Sequence, residues 1–330
     1  MQRSGSVAAI DCGTNSTRLL VAGPSGDAAV REMRITRLGQ GVDEARMLAP
    51  EALERTFDAL REFRGLMDVH GVEGARLVAT SAVRDAANGD AFLLPAAEIV
   101  GVAAELLSGS EEGRLSYAGA TADLPPGTGP VVVVDIGGGS TEIATAGAGE
   151  VSSVSLDIGC VRLTERFLPG DPPTAGQLAN AVQAVTTELD RAVAAIPLLA
   201  EQGGTTRLVG LAGTVSTLAG LEAGLTEYDR SRIHHAVLSF EAVARWCDVL
   251  GAETVSERGR RPGLPEGRQD VIVGGALVLR EVMQRLGAAE CLVSEADILD
   301  GLVLSMRSGD SGTEGDVPPA PSPQEGGRPV

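Results

Sequence analysis

The sequence of 330 residues contains no lysine, so all 27 of its basic residues are arginine. Without a lysine amine the chain cannot be a Schiff-base aldolase or a pyridoxal enzyme. P-loop nucleotidases and protein kinases are excluded too, because they need a lysine on the nucleotide phosphates. The 45 acidic residues give a formal net charge of -18. We therefore expect no duplex nucleic acid as a partner, since that binding needs a basic face.

Aromatic residues are also scarce, at 2% of the chain, so we expect a core of Val, Leu, Ile and Ala. The few cysteines and histidines show no zinc-ligand spacing. No apolar run approaches the ~20 residues of a membrane span, and no signal-peptide pattern precedes the first strand. These absences favour a cytoplasmic protein with reduced thiols and no membrane partner.

Two similar segments lie about a domain's length apart. Ser6–Gly23 reads SVAAIDCGTNSTRLLVAG, and Pro130–Gly147 reads PVVVVDIGGGSTEIATAG. Each combines an apolar strand, a turn rich in Gly, Ser and Thr, and a second apolar strand, which predicts a β-hairpin. The offset is too long for a solenoid repeat. The sequence therefore predicts a duplicated α/β domain, with one such hairpin opening each copy.

The loop Asp123–Pro130, which reads DLPPGTGP, marks the expected hinge between the two halves. We predict one domain over residues 1–121 and a second over 122–295. A last helix, 296–307, should return to pack on the first domain. Residues 308–330 are rich in Gly, Pro, Ser and acid, which predicts a disordered tail. The predicted helices include Glu51–Val69, Glu111–Ala120, Thr174–Ala195 and Gln269–Leu286.

The turns of both hairpins are suited to phosphate. Three consecutive glycines lack Cβ atoms, so the backbone can bend tightly and point successive N–H groups at one anion without any lysine. Hydroxyl and amide side chains add further donors. The candidate phosphate-binding residues of the two turns are Gly13, Thr14, Asn15, Ser16, Gly137, Gly138, Gly139, Ser140 and Thr141. An ordinary pair of tight turns is the alternative interpretation.

Three carboxylates lie next to these turns. Asp11 and Asp135 each end the first strand of a hairpin, and Glu142 follows the second turn. Carboxylate and phosphate oxygens are the ligands that Mg²⁺ prefers. We therefore expect these three residues to hold Mg²⁺, with Mn²⁺ as an alternative.

These motifs resemble the actin/hexokinase/Hsp70 superfamily. Within it, they resemble the exopolyphosphatase/guanosine pentaphosphate phosphatase (Ppx/GppA) family in its short two-domain form. Further matching motifs are ATSAVRDAANG at Ala79–Gly89, SGSEEGRLSYAGA at Ser108–Ala120, DIGCVRLTERF at Asp157–Phe167 and PGLPEGRQDVIVGGALVL at Pro262–Leu279. The resemblance covers about residues 6–306. It implies two actin-like α/β domains with a cleft between them. It also implies hydrolysis of a terminal phosphoanhydride, in polyphosphate or guanosine pentaphosphate.

The resemblance also assigns a general base. The family carries its catalytic glutamate in the stretch that SGSEEG matches, and the matching position is Glu112. A carboxylate there would take a proton from the attacking water. Glu111 is the alternative. Without the motif, both acids would be interpreted as the solvated first turn of a helix, where they suit the helix dipole.

Arginines must supply the positive charge that phosphoryl transfer needs. Arg18 and Arg84 match positions where the family places phosphate-contacting side chains. Arg162, Arg166 and Arg268 are weaker candidates. Some members use a lysine near the phosphates, which has no counterpart here.

Two other functions stay open at this point. The chain could be a phosphotransferase of the same superfamily, or a sensor that binds guanosine tetra- or pentaphosphate without turnover. The motifs do not separate polyphosphate from guanosine pentaphosphate as the substrate, or a monomer from a homodimer. His234 and His235 are more readily structural residues than cleft residues.

Overall fold

The structure of the protein, a computed structural model, describes residues 5–125, 129–147, 149–201 and 206–308. The predicted disordered tail therefore lies, apart from Ser308, outside the described residues. The first half contains strands β1 (Ser6–Cys12), β2 (Ser16–Ala22), β3 (Ala28–Ile35), β4 (Val72–Ala79) and β5 (Ala104–Leu106). Its helices are α1 (Val42–Ala45), α2 (Pro50–Val69), α3 (Ser81–Asp85), α4 (Asp90–Val100) and α5 (Gly109–Thr121).

The second half contains strands β6 (Val131–Ile136), β7 (Thr141–Gly147), β8 (Glu150–Leu156), β9 (Arg207–Leu211), β10 (Val237–Ser239) and β11 (Glu290–Val293). Its helices are α6 (Cys160–Phe167), α7 (Ala175–Ala195), α8 (Leu198–Glu201), α9 (Ala212–Glu222), α10 (Arg230–Ile233), α11 (Phe240–Ala252), α12 (Val255–Gly259), α13 (Ile272–Leu286) and α14 (Ile298–Ser308). Across the described ranges, no helix is both long and apolar enough to cross a membrane.

The strands form two sheets that repeat one topology. The first has the order β3-β2-β1-β4-β5, and the second has the order β10-β11-β9-β6-β7-β8. In each, the opening three strands form an antiparallel meander, and the next strand runs parallel to the first. β10 extends the second sheet at its edge, antiparallel to β11. Two α/β halves of the actin-like type are confirmed, with the predicted hairpins β1–β2 and β6–β7 in equivalent places.

Most predicted helices form, with small changes at their ends. α2 and α7 begin within one residue of the predicted positions. α5 begins earlier than predicted because Ser108 and Glu111 form a capping box at its start. α13 begins later, at Ile272, after a turn. The sequence does not predict β3. This strand lies at the edge of the first sheet, and its charged residues interrupt the alternation of apolar and polar residues that indicates a strand.

Two helices pack against each other between the sheets. α14 covers one face of the first sheet, where Leu302 packs with Val7 and Ala9. α5 covers the corresponding face of the second sheet, where Ala120 packs with Val133. Both helices also contact one another along their length. The chain therefore passes through this helix pair each time that it crosses between the sheets.

The backbones of α5 and α14 approach each other so closely that only glycine fits at the crossing. A Cβ atom at Gly119 would collide with the carbonyl oxygen of Asp297, and one at Gly301 would collide with that of Leu115. Backbone atoms cannot move aside as a flexible side chain can, so a methyl group here would force the helices apart.

We expect Gly301→Ala to lower the free energy of unfolding by about 2 kcal/mol, because overpacking a close contact typically costs that much. Urea denaturation checks this. Gly65→Ala is the matched control, since Gly65 is exposed on α2 with open space around its Cβ position. That change should stabilise the protein by up to about 1 kcal/mol through helix propensity. Equal effects of the two changes would contradict the close approach.

Candidate active site

The turns of the two hairpins both line a cavity of about 480 Å³. Residues from both sheets and from α5 line it, so neither half forms the site alone. The predicted site residues that line it are Asp11, Gly13, Thr14, Asn15, Ser16, Arg18, Glu112, Asp135, Gly137, Gly138, Gly139 and Ser140. Arg84, Thr141 and Glu142 are not part of the lining.

The two turns are in direct contact. A Cβ atom at Gly138 would come within 2.8 Å of Thr14 Cβ and 3.1 Å of Asn15 N. One at Gly139 would collide with Ser81 Oγ. These two glycines therefore let the second turn lie against the first turn and against α3. The hydroxyl of Thr141 is used inside the fold, because it donates to the carbonyl oxygen of Ile158.

Four carboxylates gather at or next to this cavity: Asp11, Asp135 and Glu142 are buried, and Glu112 is partly buried. Burial raises the pKa of Asp135 to about 6, although Ser116 Oγ donates to its Oδ2 at 2.7 Å. Burial, and then the charge of Asp135, raises the pKa of Glu142 to about 7. Burial also raises the pKa of Asp11. Burial, Glu142 and Asp11 together raise the pKa of Glu112 well above its ordinary value.

Glu111 and Glu112 are neighbours with different tasks. The Glu111 carboxylate accepts from the backbone N–H of Ser108 at 2.9 Å and from its hydroxyl at 2.6 Å. This capping box lowers the pKa of Glu111. Glu112 instead lines the cavity, and Arg84 Nη1 lies 3.3 Å from its Oε2. Of the two acids, only Glu112 is available to the contents of the cavity.

Arg18 is held between two carboxylates. Its Nε and Nη2 donate to Asp11 Oδ2 at 3.1 and 2.6 Å, and its Nη1 donates to Asp297 Oδ2 at 2.5 Å. Burial opposes its charge, but Asp297 and Asp11 raise the pKa of Arg18 overall. All three guanidinium nitrogens of Arg18 therefore have partners within the protein. The sequence predicted a contact with phosphate and not these two carboxylate partners.

The three weaker arginine candidates differ in their surroundings. Arg162 donates to the carbonyl oxygen of Gly139 at 2.6 Å and pairs with Asp43 and Asp85, so it joins the second turn to the first half. Arg166 also pairs with Asp43.

Arg268 lines the cavity and packs against Gly213, at the start of α9. Over the described ranges it forms no ion pair, so its charge is available for an anion.

Several lining residues were missed by the sequence analysis. Ser81 lies inside the quoted ATSAVRD stretch, three residues before Arg84, and it lines the cavity with a buried hydroxyl that has no partner in the described part of the chain. Its position in that motif could have identified Ser81 as a candidate site residue. Asp297 also lines the cavity, and nothing in its sequence surroundings pointed to it.

The unpartnered buried atoms fit a cation and phosphate oxygens. Among the described residues, Asp11 Oδ1, Asn15 Nδ2 and Ser81 Oγ are buried without a hydrogen-bond partner. Buried polar atoms normally have one. The carboxylate oxygen suits a hard divalent cation, and the other two groups can donate to an anion. The raised pKa values of Asp135 and Glu142 also fit a cation site. Burial disfavours the charged forms of these carboxylates, and a cation beside them would favour those forms.

His234 and His235 form a separate cluster with Asp123, away from the cavity lining. Nε2 of His234 lies 2.8 Å from Asp123 Oδ2, and that of His235 lies 3.7 Å from it. The backbone N–H of Glu295 donates to Nδ1 of His234 at 3.0 Å. A neutral His234 therefore carries its proton on Nε2 and donates it to Asp123. Both ring nitrogens of His234 therefore have partners within the protein, as expected of a structural residue.

We expect the free energy of unfolding of the metal-free protein to fall as pH rises, in part because of Glu142. Its pKa of about 7 in the folded state lies above that of an unfolded glutamate, so the folded state binds this proton more tightly. The stabilisation is complete below the unfolded pKa and is lost as pH rises through the folded pKa. In EDTA, Glu142→Gln should remove about 3 kcal/mol of the fall between acid and mildly alkaline pH.

Urea denaturation of both proteins over this pH range measures the difference. Glu111→Gln is the matched control, because the pKa of Glu111 is lowered, so Glu111 titrates on the acid side of Glu142. The control should keep the pH dependence of the wild type. The same dependence in Glu142→Gln would contradict the raised pKa.

Comparisons with known proteins give the family. A model of the Ppx/GppA phosphatase family matches residues 26–308. Exopolyphosphatase 2 of Mycobacterium tuberculosis is 44% identical over 316 residues, which cover 91% of this chain and 98% of that protein. The crystal structure of an exopolyphosphatase-like protein is similar with a TM-score of 0.87 at 40% identity, covering 92% of this chain and 99% of the other.

A PPX-GPPA enzyme of Aquifex aeolicus has a TM-score of 0.75 at 33% identity, and the match covers 91% of this chain and 99% of that one. The family match extends into both halves and includes the second hairpin of the cavity. The resemblance seen in the motifs is confirmed, and the chain belongs to the Ppx/GppA phosphatase family.

Proposed function

We propose that the protein is a phosphohydrolase that releases the terminal phosphate from inorganic polyphosphate, from guanosine pentaphosphate or from both. The observation that carries this proposal is the placement of Glu112. It is a partly buried carboxylate with a raised pKa, and it lines the same cavity as the two phosphate-type turns. Membership of the family and the similarity to an exopolyphosphatase of M. tuberculosis support the same reaction.

The turns would bind the terminal phosphate group through their backbone N–H groups. Asn15 and Ser81 would add donors, since each has a buried polar atom without a partner in the described ranges. Asp11, Asp135 and Glu142 would hold Mg²⁺ or Mn²⁺, with Asp11 acting directly or through a water. A bound cation would neutralise charge on the phosphate oxygens.

Glu112 would act as the general base. As the oxygen of water bonds to the terminal phosphorus, the Glu112 carboxylate takes a proton from that water. The phosphorus–oxygen bond to the rest of the substrate breaks, its electron pair stays on the leaving oxygen, and inorganic phosphate leaves. Arg84 lowers the pKa of Glu112 against its burial and so favours the ionised base. Arg268 would contact a phosphate further along the substrate.

A second observation favours a substrate that carries a nucleoside. The cavity lining also includes large apolar and aromatic side chains, which a polyphosphate chain would not use. Leu225, Tyr228, Ile233 and Pro265 are among them. A base can stack on an aromatic ring and gain from apolar contact. Guanosine pentaphosphate is therefore our proposed second substrate, and the same geometry would serve a sensor of guanosine tetra- or pentaphosphate.

We expect Glu112→Gln to lower kcat for phosphate release at least about hundredfold, because a positioned general base contributes that much or more. The assay is inorganic phosphate released in the presence of Mg²⁺. Glu111→Gln is the matched control, because it changes the neighbouring acid at the helix cap, and it should stay within about threefold of the wild type. Wild-type release by a folded Glu112→Gln protein from both substrates would defeat the proposal.

We expect Tyr228→Ala to raise KM for guanosine pentaphosphate about tenfold, because stacking of one base on an aromatic ring is worth that much or more. KM for a short polyphosphate should not change, and this serves as the internal control. Equal changes in both KM values would contradict a base at Tyr228. Tight binding of the nucleotide without phosphate release would favour the sensor. A phosphorylated acceptor formed from ATP would favour the phosphotransferase.

A further inference from the structure

The chain crosses back from the second sheet to the first between β11 and α14, and Asp297 lies at this crossing. Asp297 is buried, and its Oδ1 accepts from the backbone N–H of Leu299 at 2.9 Å. Its Oδ2 accepts from Arg18 Nη1. Burial would raise the pKa of Asp297, but Arg18 and Arg31 lower it overall. Asp297 is therefore an ionised carboxylate that the start of α14 places beside the cavity.

Asp297 determines which oxygen of Asp11 accepts hydrogen bonds from Arg18. Because one terminal nitrogen of Arg18 is bound to Asp297, its other two nitrogens both donate to a single oxygen of Asp11, Oδ2. The second oxygen, Oδ1, is buried and has no partner among the described residues. Without Asp297, the arginine would be free to bind both oxygens of Asp11, as guanidinium–carboxylate pairs often do.

Asp297 also changes the charge of this group. Arg18 alone would neutralise Asp11, whereas Asp11, Arg18 and Asp297 together carry one net negative charge. Arg31 does not cancel that charge, because Asp300 binds it with both oxygens, at 2.6 and 2.8 Å. The nearest Arg31–Asp297 distance is longer, 3.6 Å. A divalent cation next to Asp11 Oδ1 would therefore meet a negative group rather than a neutral ion pair.

We propose that Asp297 is a positioning residue for the divalent cation: through Arg18 it keeps Asp11 Oδ1 free and negatively charged. The inference rests on the proposed function, in which Asp11 belongs to the cation site. It assigns to α14 a part in the active site in addition to its packing on the first sheet.

Direct binding of Mn²⁺ to the substrate-free protein tests this inference. Electron paramagnetic resonance of free Mn²⁺ gives the dissociation constant without any turnover. Asp297→Asn keeps the shape and the oxygen that accepts from Leu299, but it removes the charge. We expect about tenfold weaker Mn²⁺ binding, a change typical of losing one charge near a partly buried site. In kinetics, the Mg²⁺ concentration for half-maximal rate should rise, while kcat at saturating Mg²⁺ changes much less.

Glu105→Gln is the matched control. It removes a carboxylate that pairs with Arg76 on the first sheet, but Glu105 has no hydrogen bond or ion pair with Arg18, Arg31 or Asp297 in the described structure. Its Mn²⁺ affinity should equal that of the wild type. Asp297→Ser, which keeps an oxygen for the helix start, serves as a second variant should Asp297→Asn fold poorly.

Two outcomes would overturn the inference in distinguishable ways. If Asp11→Asn and Asp135→Asn weaken Mn²⁺ binding but neither Asp297 variant does, the cation site stands and the role of Asp297 is wrong. If Asp11→Asn and Asp135→Asn leave Mn²⁺ binding unchanged, the proposed cation site itself is wrong, and the role of Asp297 is wrong with it.

Discussion

Several carboxylates lie buried in one cavity, and the surrounding structure depends on stabilising them there. Like charges in a region of low dielectric repel one another strongly. Hydroxyl groups of the flanking elements stabilise these charges by hydrogen bonds. Ser116 donates to Asp135, and Ser155 donates to Glu142. The remaining excess of negative charge is what the proposed cation and the proposed base both depend on.

The absence of lysine is consistent with this arrangement. Backbone N–H groups at two turns, rather than ammonium groups, offer donors to an anion. The arginines near the site have several different tasks. Arg18 binds two carboxylates, Arg162 joins the two halves, and Arg268 forms no ion pair in the described ranges. An acidic protein can therefore present a phosphate site, because only a few positions inside it need positive charge.

The sequence predicted the parts of the fold and site that local pattern determines. The hairpins, most helices and the contrast between Glu111 and Glu112 follow from periodicity, turn composition and motif position. Contacts between residues distant in the chain could not be predicted in this way. Arg18 matched a phosphate-contacting position, yet its partner Asp297 comes from an element near the other end of the fold. Nothing near Asp297 in the sequence signals that pairing, which only the crossing between β11 and α14 creates.

The path of α14 has a consequence for synthesis on the ribosome. The first sheet is made early, but the apolar face that carries Val7 and Ala9 is covered by α14, the last helix that the structure describes. Arg18 likewise meets Asp297 only after the whole second half has emerged. The nascent first half therefore exposes an uncovered sheet face and an incomplete charge group throughout translation. Its final packing therefore requires that α14 has been made.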